Sequence, residues 1–337
     1  MKTTTREKLN HYVNTLATLN GVTAEAVTSK FAVTPSVQQR LEKRIQDTSD
    51  FLKSINIIGV SEAEGETLML GVSGPIASTQ NTDTAERQPR DVSTLTANKY
   101  RCVQTNYDTH IKYQTMDAWA KFPDFQTKLR DSITKRIALD RIMIGFNGKS
   151  RADTSNPTIH KNLEDINIGW LEKIRTAAPQ RVMSGQAATP GKITVGVGHE
   201  YVNLDALVYD VVNSKIEPWL RNDTNLVAIV GRELMADKYF PLVNQNHRPE
   251  DILAADMICS QSRIGHLPAV QVPFMPANAI LITRLDNLSI YYQDGGMRRS
   301  VIDNPRRDRI ETYQSSNDAY VVENYDGAAL VENIVLA

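Results

Sequence analysis

The histidines are the first residues to test for metal binding or acid–base chemistry. The six histidines are well separated along the chain: His11, His110, His160, His199, His247 and His266. No two lie within about ten residues of each other, and none belongs to two ligand pairs at metal-binding spacing. The H-E-x-x-H, G-x-S-x-G and protein-kinase motifs are also absent from the sequence. We therefore predict no catalytic residue, no metal and no cofactor.

Two glycine-containing stretches approach phosphate-binding motifs. In 185–192, GQAATPGK, five residues separate the glycines, and Ile193 stands where a magnesium-binding Ser or Thr is needed. Gly196 and Gly198 lack the third glycine of a dinucleotide fingerprint. Both stretches are therefore predicted to be ordinary turns.

The charged residues give weaker evidence for a binding function. Five arginines cluster near the C-terminal end and are interleaved with acidic residues: Arg298, Arg299, Arg306, Arg307 and Arg309. This mixture favours ion pairs between subunits over a track for phosphates. The whole chain has 38 basic and 39 acidic side chains, for a formal charge of −1. That balance disfavours a broad basic face for nucleic acid.

Composition also indicates the compartment and the size class. Cys102 and Cys259 are the only cysteines, so a disulfide framework is not expected and a reducing compartment fits. The N-terminal region has no apolar core of a secretory signal, and no apolar run approaches membrane-spanning length. We expect a protein made and kept in a cytoplasm, with two or three lobes in its 337 residues.

A long helix over 124–147 is the element around which the rest is organised. Leu129, Ile137 and Ile144 recur on one helical face. The residues near its C-terminal end are apolar all round, so that end should be enclosed by other elements. Gly148 is predicted to cap the helix in a left-handed conformation. Taken alone, the pattern is typical of an ordinary core helix.

Residues 1–30 resemble a separate helical piece. A first helix should end at Asn20-Gly21, and Thr23 could cap a short second one. Two such short helices need a partner surface. The alternatives are a helix docked on its own domain and a detachable arm that works during assembly.

The stretch 55–113 is the most unusual. Strands predicted over 55–60 and 67–72 lead into a polar loop, 74–98, and a strand predicted over 100–113 follows. So long a polar loop is uncommon inside a compact domain, and an isolated two-stranded ribbon is marginal in water. The stretch is either a floppy hairpin or an arm that rests on another molecule, and the well-patterned strands favour the arm.

The remaining pattern mixes helices and strands. Helices are predicted over 35–53, 170–178, 204–216 and from 232 onward. Strands are predicted over 192–198, 226–230, 268–274, 279–283, 288–292, 310–313, 320–323 and 330–335. The strand–turn–helix order after 226 indicates an α/β lobe within an α+β chain. Three classes then remain: a shell subunit, an enzyme with scattered carboxylates, and a nucleic-acid-binding module, which the charge disfavours.

Several long stretches carry a resemblance that decides between these classes. They include LNGVTAEAVTSKFAVTPSV, GPIASTQNTDTAERQPRD, ALDRIMIGFNGKSRADTSNP and LVAIVGRELMADKYFPLVN. The chain resembles the major capsid proteins of P-two-like (peduovirus) tailed phages over nearly its whole length.

The resemblance implies the Hong Kong 97-type capsid fold and a division of the chain. The expected parts are an N-terminal helical arm at 1–31, an N-arm at 32–54, an extended loop at 55–113, a peripheral domain at 114–201 with the spine helix at 124–147, an axial domain at 202–296, and peripheral return strands at 297–337.

It also implies a function and partners. The protein should form pentamers and hexamers of an icosahedral virion shell, assembled in the bacterial host cytoplasm around double-stranded DNA that it contacts without sequence specificity. Expected partners are a scaffold and protease protein, a portal and head-completion proteins. A maturation protease is expected to cut near Phe31 and Ala32, and no covalent crosslink is predicted. The alternative is a soluble α+β enzyme with an unrecognised site.

Overall fold

The computed structural model describes residues 1–72, 77, 79–84, 86–87, 93–119, 122, 125–186, 189–243 and 262–337. Its α-helices are α1 Thr3–Asn20, α2 Ala24–Thr28, α3 Pro35–Asp47, α4 Asp50–Ser54, α5 Tyr113–Trp119, α6 Phe125–Asn147, α7 Trp170–Ala177, α8 Leu204–Lys215 and α9 Arg232–Val243. Its strands are β1 Phe31–Ala32, β2 Asn56–Val60, β3 Glu64–Val72, β4 Ser93–Arg101, β5 Val103–Asn106, β6 Thr109–Lys112, β7 Val182–Met183, β8 Ile193–Val195, β9 Leu226–Val230, β10 Arg263–Ile264, β11 Leu267–Gln271, β12 Ile280–Arg284, β13 Leu288–Gln293, β14 Arg298–Asn304, β15 Arg309–Val322, β16 Ala329–Val331 and β17 Ile334–Leu336.

A seven-stranded sheet is built around the long strand β15. Its order is β1-β14-β15-β13-β2, and β5 and β6 also pair with β15. The first part of β15 pairs with β14 and β6, and its last part pairs with β13. β5 and β6 come from the N-terminal third of the chain, so β15 ties that third to the C-terminal end.

A second sheet separates two hydrophobic cores. It has six strands in the order β10-β11-β9-β12-β16-β7, and β17 pairs separately with β8. All five residues of β9 are buried: Val227 and Ile229 belong to one core, Leu226, Ala228 and Val230 to the other. Because side chains alternate across a strand, this sheet is covered on both faces.

The predicted long helix is present as α6, and its apolar end is enclosed as predicted. Ile142 and Ile144 are almost completely buried. Gly148, however, is not left-handed. A β-carbon there would lie 2.1 Å from the backbone oxygen of Asn167, so glycine is required for close approach of two chain segments.

The structure corrects two predicted strand patterns. The strand predicted over 100–113 is divided among the end of β4, β5 and β6, while the strands predicted over 310–313 and 320–323 are one strand, β15. Polar residues lie between the two predicted strands, and Ser315, Ser316 and Asp318 are buried in the sheet. Their backbone pairs with β5, and the Ser316 hydroxyl donates to the Asp318 carboxylate at 2.9 Å.

Both sheets draw strands from several parts of the chain. Among the described residues of 55–113, β2, β5 and β6 belong to the seven-stranded sheet and the β3–β4 hairpin lies outside it. β13 also pairs in the seven-stranded sheet, with β15 and β2. β7 and β16 belong to the six-stranded sheet, while β8 and β17 pair with each other and pack with the core that contains Leu226 and Val230. The chain therefore crosses between the two sheets several times.

Candidate assembly surfaces

The stretches tested for chemistry do not form a site in the described part of the chain. No three His, Cys, Asp or Glu residues there are placed to hold a metal ion. The glycine loop of 185–192 turns back on itself, because the Gln186 N–H donates to the backbone oxygens of Thr189 and Lys192. The amide groups of Thr189 and Lys192 also donate within the loop, so these three amide groups already have partners. His247 and Cys259 lie outside the described residues, and Cys102 is a buried thiol.

The N-terminal helices lie on the body of the protein. As predicted, Gly21 ends α1 in a left-handed conformation and the Thr23 hydroxyl accepts from the Ala26 N–H. Leu9 and Leu16 are buried on one side of α1, whereas Leu19 is 50% exposed. The apolar side packs with Met297, Val301 and Ile310, next to and within β14 and β15. In this structure the piece is docked.

Phe31 and Ala32 form the edge strand of the seven-stranded sheet. They lie opposite Arg299 and Arg298 of β14. The Phe31 side chain is buried, whereas the three residues before it, 28–30, are exposed. The predicted cleavage position is thus directly preceded by accessible chain but is itself paired.

The β3–β4 hairpin is the candidate surface that lies most clearly outside the two larger sheets. Its ladder runs from Glu64 opposite Arg101 to Val72 opposite Ser93, and neither strand joins another sheet among the described residues. At its base the Tyr100 ring meets the edge of Tyr291, with centroids 5.1 Å apart. The loop predicted over 74–98 lies partly outside the described residues. A ribbon of two strands lacks the area to form a core of its own.

The arginine cluster is only partly a surface for other molecules. Arg309 pairs with Glu311 at 2.6 Å, and Arg299 donates to the Tyr12 hydroxyl at 2.9 Å. Arg298, Arg306 and Arg307 are exposed and form no ion pair with the described residues. Inter-subunit pairing therefore remains a prediction for these three arginines, while the other two have partners within the chain.

Sequence reasoning missed a buried ionic cluster. Arg141 of α6 donates two hydrogen bonds to Glu42 of α3 and one to Asp318 of β15, at 3.2 Å. All three side chains are buried. Burial raises the pKa of Glu42, although Arg141 acts in the opposite direction. A signal was present in the sequence: Arg141 directly adjoins the apolar run 142–146 at the end of the predicted helix.

Exposed aromatic residues mark a further part of the surface. Trp119 is 50% exposed and Phe122 is 49% exposed, with ring centroids 5.7 Å apart. Trp119 is the last residue of α5, Phe122 lies between α5 and α6, and α5 has no buried residue. Aromatic residues of this kind are enriched at interfaces between proteins. Among the described residues, no helix is long and apolar enough to cross a membrane.

The order of a helical arm, a hairpin outside the sheets, a long spine helix and two sheet-based lobes is that of the Hong Kong 97-type capsid fold. The class of protein is therefore a subunit of a phage shell. Residues 8–334 match the model of the family "Phage major capsid protein, P2 family". The chain belongs to this family.

Individual relatives agree with this assignment. The chain is 52% identical to the capsid proteins of Escherichia phage P2, covering 99% of this chain and 95% of the relative. It is 42% identical to the major capsid protein of Serratia phage KSP20, covering 100% and 98%. A solved procapsid of satellite phage P4, which includes the size determination (Sid) protein, has a chain with 48% identity and a TM-score of 0.82, covering 100% of this chain and 99% of its own. The protein is a major capsid protein and a virion component.

Proposed function

We propose that this chain assembles into pentamers and hexamers that tile an icosahedral shell, and that its function is assembly in place of turnover. The β3–β4 hairpin is the observation that carries the proposal, since among the described residues this two-stranded ribbon joins neither of the larger sheets. Laid across a neighbouring subunit, its backbone groups gain partners. Such a contact joins different surfaces of the two copies, so it closes into rings. Many modest contacts per subunit then stabilise the shell through avidity.

The domains of the shell subunit follow from the two sheets. We assign the seven-stranded sheet and α6 to the peripheral domain, and the six-stranded sheet with α8 to the axial domain that meets its copies at the symmetry axes. Residues 32–54 form the N-arm. A soluble enzyme, the alternative function, would remain small in solution, whereas a shell subunit forms megadalton particles. Light scattering separates the two.

The other proposed partners follow from the family. We propose assembly in the bacterial host cytoplasm with a scaffold and protease protein, a portal and head-completion proteins. Packaged double-stranded DNA is contacted on the inner face without sequence specificity, and the formal charge of −1 fits weak contacts better than tight binding. The shell is proposed to hold without a covalent crosslink between subunits.

Deleting residues 79–96, around the hairpin tip, is expected to leave a folded subunit that cannot form stable shells. The described residues of the deletion lie outside both cores, and the deletion removes the first four residues of β4, which pair with the end of β3. Because shell contacts act together, we expect the particle yield to fall by about tenfold or more. Negative-stain microscopy with the scaffold protein present measures the yield, and circular dichroism confirms the fold. Particles at the wild-type yield would contradict the proposal.

Mature particles are expected to lack residues 1–31. The segment is a compact helical piece, and exposed chain at 28–30 directly precedes Phe31 and Ala32. Mass spectrometry of subunits from mature particles should find a new N-terminus at or beside Ala32, while subunits expressed without the protease keep the segment. An intact Met1 end in mature particles would refute this cleavage.

A further inference from the structure

The surface beneath the N-terminal helices is a defined docking face. We use this name for the area formed by Asp117 of α5, Met297, Val301 and Asp303 at β14, and Ile310 of β15. Met297, Val301 and Ile310 are at most 5% exposed because α1 and α2 cover them. The segment 1–31 covers this face with Leu9, Leu16, Ala17 and Val27, all buried. An amphipathic helix on an apolar face is a common form of peptide recognition.

Polar contacts fix the position of α1 on the face. Asp117 accepts from the Lys2 backbone N–H at 2.9 Å and from the Thr5 hydroxyl at 2.6 Å. Asp303 accepts from the Arg6 guanidinium. Because these contacts hold the N-terminal end of α1 beside the apolar contact of Leu9 and Leu16, they set the register of the helix as well as its orientation.

The contacts do not depend on the covalent link to the body. The docking residues of α1 lie between Lys2 and Ala17, whereas the link runs through the exposed residues 28–30 into β1. Backbone strand pairing with β14 is limited to Phe31 and Ala32, at the end of this link. Cutting the backbone near residue 31 therefore leaves the apolar and polar contacts of α1 intact.

We propose that the docking face is a binding site for residues 1–31 as a separate peptide. Cleavage alone then does not free the segment, and its release is a second, reversible step. Release uncovers Val301 and Ile310, and it leaves Asp117 and Asp303 without their partners on α1. The link to shell maturation rests on the proposed function. The binding site itself does not.

The first experiment cuts the full-length protein at a place of our choosing. A recognition site for a sequence-specific protease is inserted between Ser29 and Lys30, both of which are exposed. After the cut, size-exclusion chromatography and mass spectrometry follow the N-terminal fragment. We expect it to co-elute with the body. A fragment that elutes separately immediately after the cut would overturn the proposal.

The second experiment uses synthetic peptides on this cut protein, so the substitutions are made in the peptide and the body stays the same throughout. A labelled peptide of residues 1–29 in excess should exchange into the face and displace the cut fragment. The matched variants are Leu16→Asp, at a side chain 8% exposed, and Leu19→Asp, at one 50% exposed on the same helix. We expect Leu19→Asp to exchange as the wild-type peptide does and Leu16→Asp to bind at least about tenfold more weakly.

The outcomes are distinct from those of the maturation test. Equal binding of the Leu16→Asp and Leu19→Asp peptides would rule out a specific face, and no exchange at all would rule out a reversible release. Since the added protease makes the cut, retention of the fragment can be observed even if mature particles keep residues 1–31. That result would refute the cleavage and leave the binding site standing.

Discussion

Replacing Trp170 with alanine is expected to lower the free energy of unfolding by about 3–5 kcal/mol. The ring is completely buried and meets the edges of Phe146 and Tyr320, with centroids 5.3 Å away in each case. Its N–H donates to the Ser289 backbone oxygen at 3.0 Å. The substitution leaves a cavity where α6, α7 and the seven-stranded sheet meet, and it leaves that oxygen without its donor.

Urea unfolding of the unassembled subunit, at one fixed protein concentration, measures the effect. Trp219→Ala is the matched control because Trp219 is 66% exposed, and it should change the free energy of unfolding by less than about 0.5 kcal/mol. A loss at Trp170 as small as the loss at Trp219 would contradict the packing described for this core.

The substitution Gly145→Ala is expected to have opposite effects on stability in the wild-type protein and in the Trp170→Ala variant. A β-carbon at Gly145 would lie 2.2 Å from the Trp170 ring, and the three nearest atoms all belong to that ring. Gly145→Ala is therefore expected to destabilise the wild-type protein. In the Trp170→Ala background the obstacle is gone, and alanine should stabilise the helix by up to about 1 kcal/mol through its higher propensity. A double-mutant cycle without this reversal would exclude direct contact as the reason for the glycine.

The spine helix was predictable because its information is local. Its apolar spacing lies within one segment, so α6 could be placed to within a residue or two. Gly148 shows where local reasoning ends. A glycine after a helix is most simply read as a left-handed cap, but here the reason is the Asn167 backbone, which the sequence alone does not bring there.

Strand β15 shows a second limit. Buried polar residues in its centre look like a turn when only neighbours in sequence are considered. Asp318, however, has partners far away in the sequence: it accepts from Arg141 and Tyr107. Because the sequence pattern predicts two short strands in place of β15, it does not show that the partners of β15 belong to one sheet. The candidate surfaces were predictable to the extent that they are continuous in sequence, as the hairpin and the N-terminal helices are.

Replacing Arg141 with leucine is expected to lower the free energy of unfolding by about 3–5 kcal/mol at neutral pH, because two buried carboxylates then lack their common partner. The surface pair of Arg44 with Asp131 is the control. Its atoms are 2.8 Å apart, but both side chains are over 40% exposed, so Arg44→Leu should change stability by less than about 1 kcal/mol. Similar losses in the two variants would show that the Arg141 cluster is not buried as described.

The loss at Arg141 is expected to depend on pH. Burial already raises the pKa of Glu42, and the positive charge of Arg141 opposes that rise. Without Arg141 the folded-state pKa rises further above the value in the unfolded chain. A folded state that binds the proton more tightly is favoured at low pH, and this advantage is lost as the pH rises through the folded-state pKa. The deficit of Arg141→Leu should therefore be smaller at pH 5 than at pH 8, in unfolding curves measured at both.

Removing Glu42 together with Arg141 is expected to restore most of the lost stability. In Glu42→Leu with Arg141→Leu, one uncompensated carboxylate is gone, and Asp318 still accepts from the Ser316 hydroxyl at 2.9 Å. Exchanging buried ionic groups for apolar ones of similar volume is often neutral or stabilising. The double variant should therefore recover most of the loss, and its deficit should depend less on pH. A double variant as unstable as Arg141→Leu alone would mean that lost packing between α3 and α6, and not the buried charge, causes the effect.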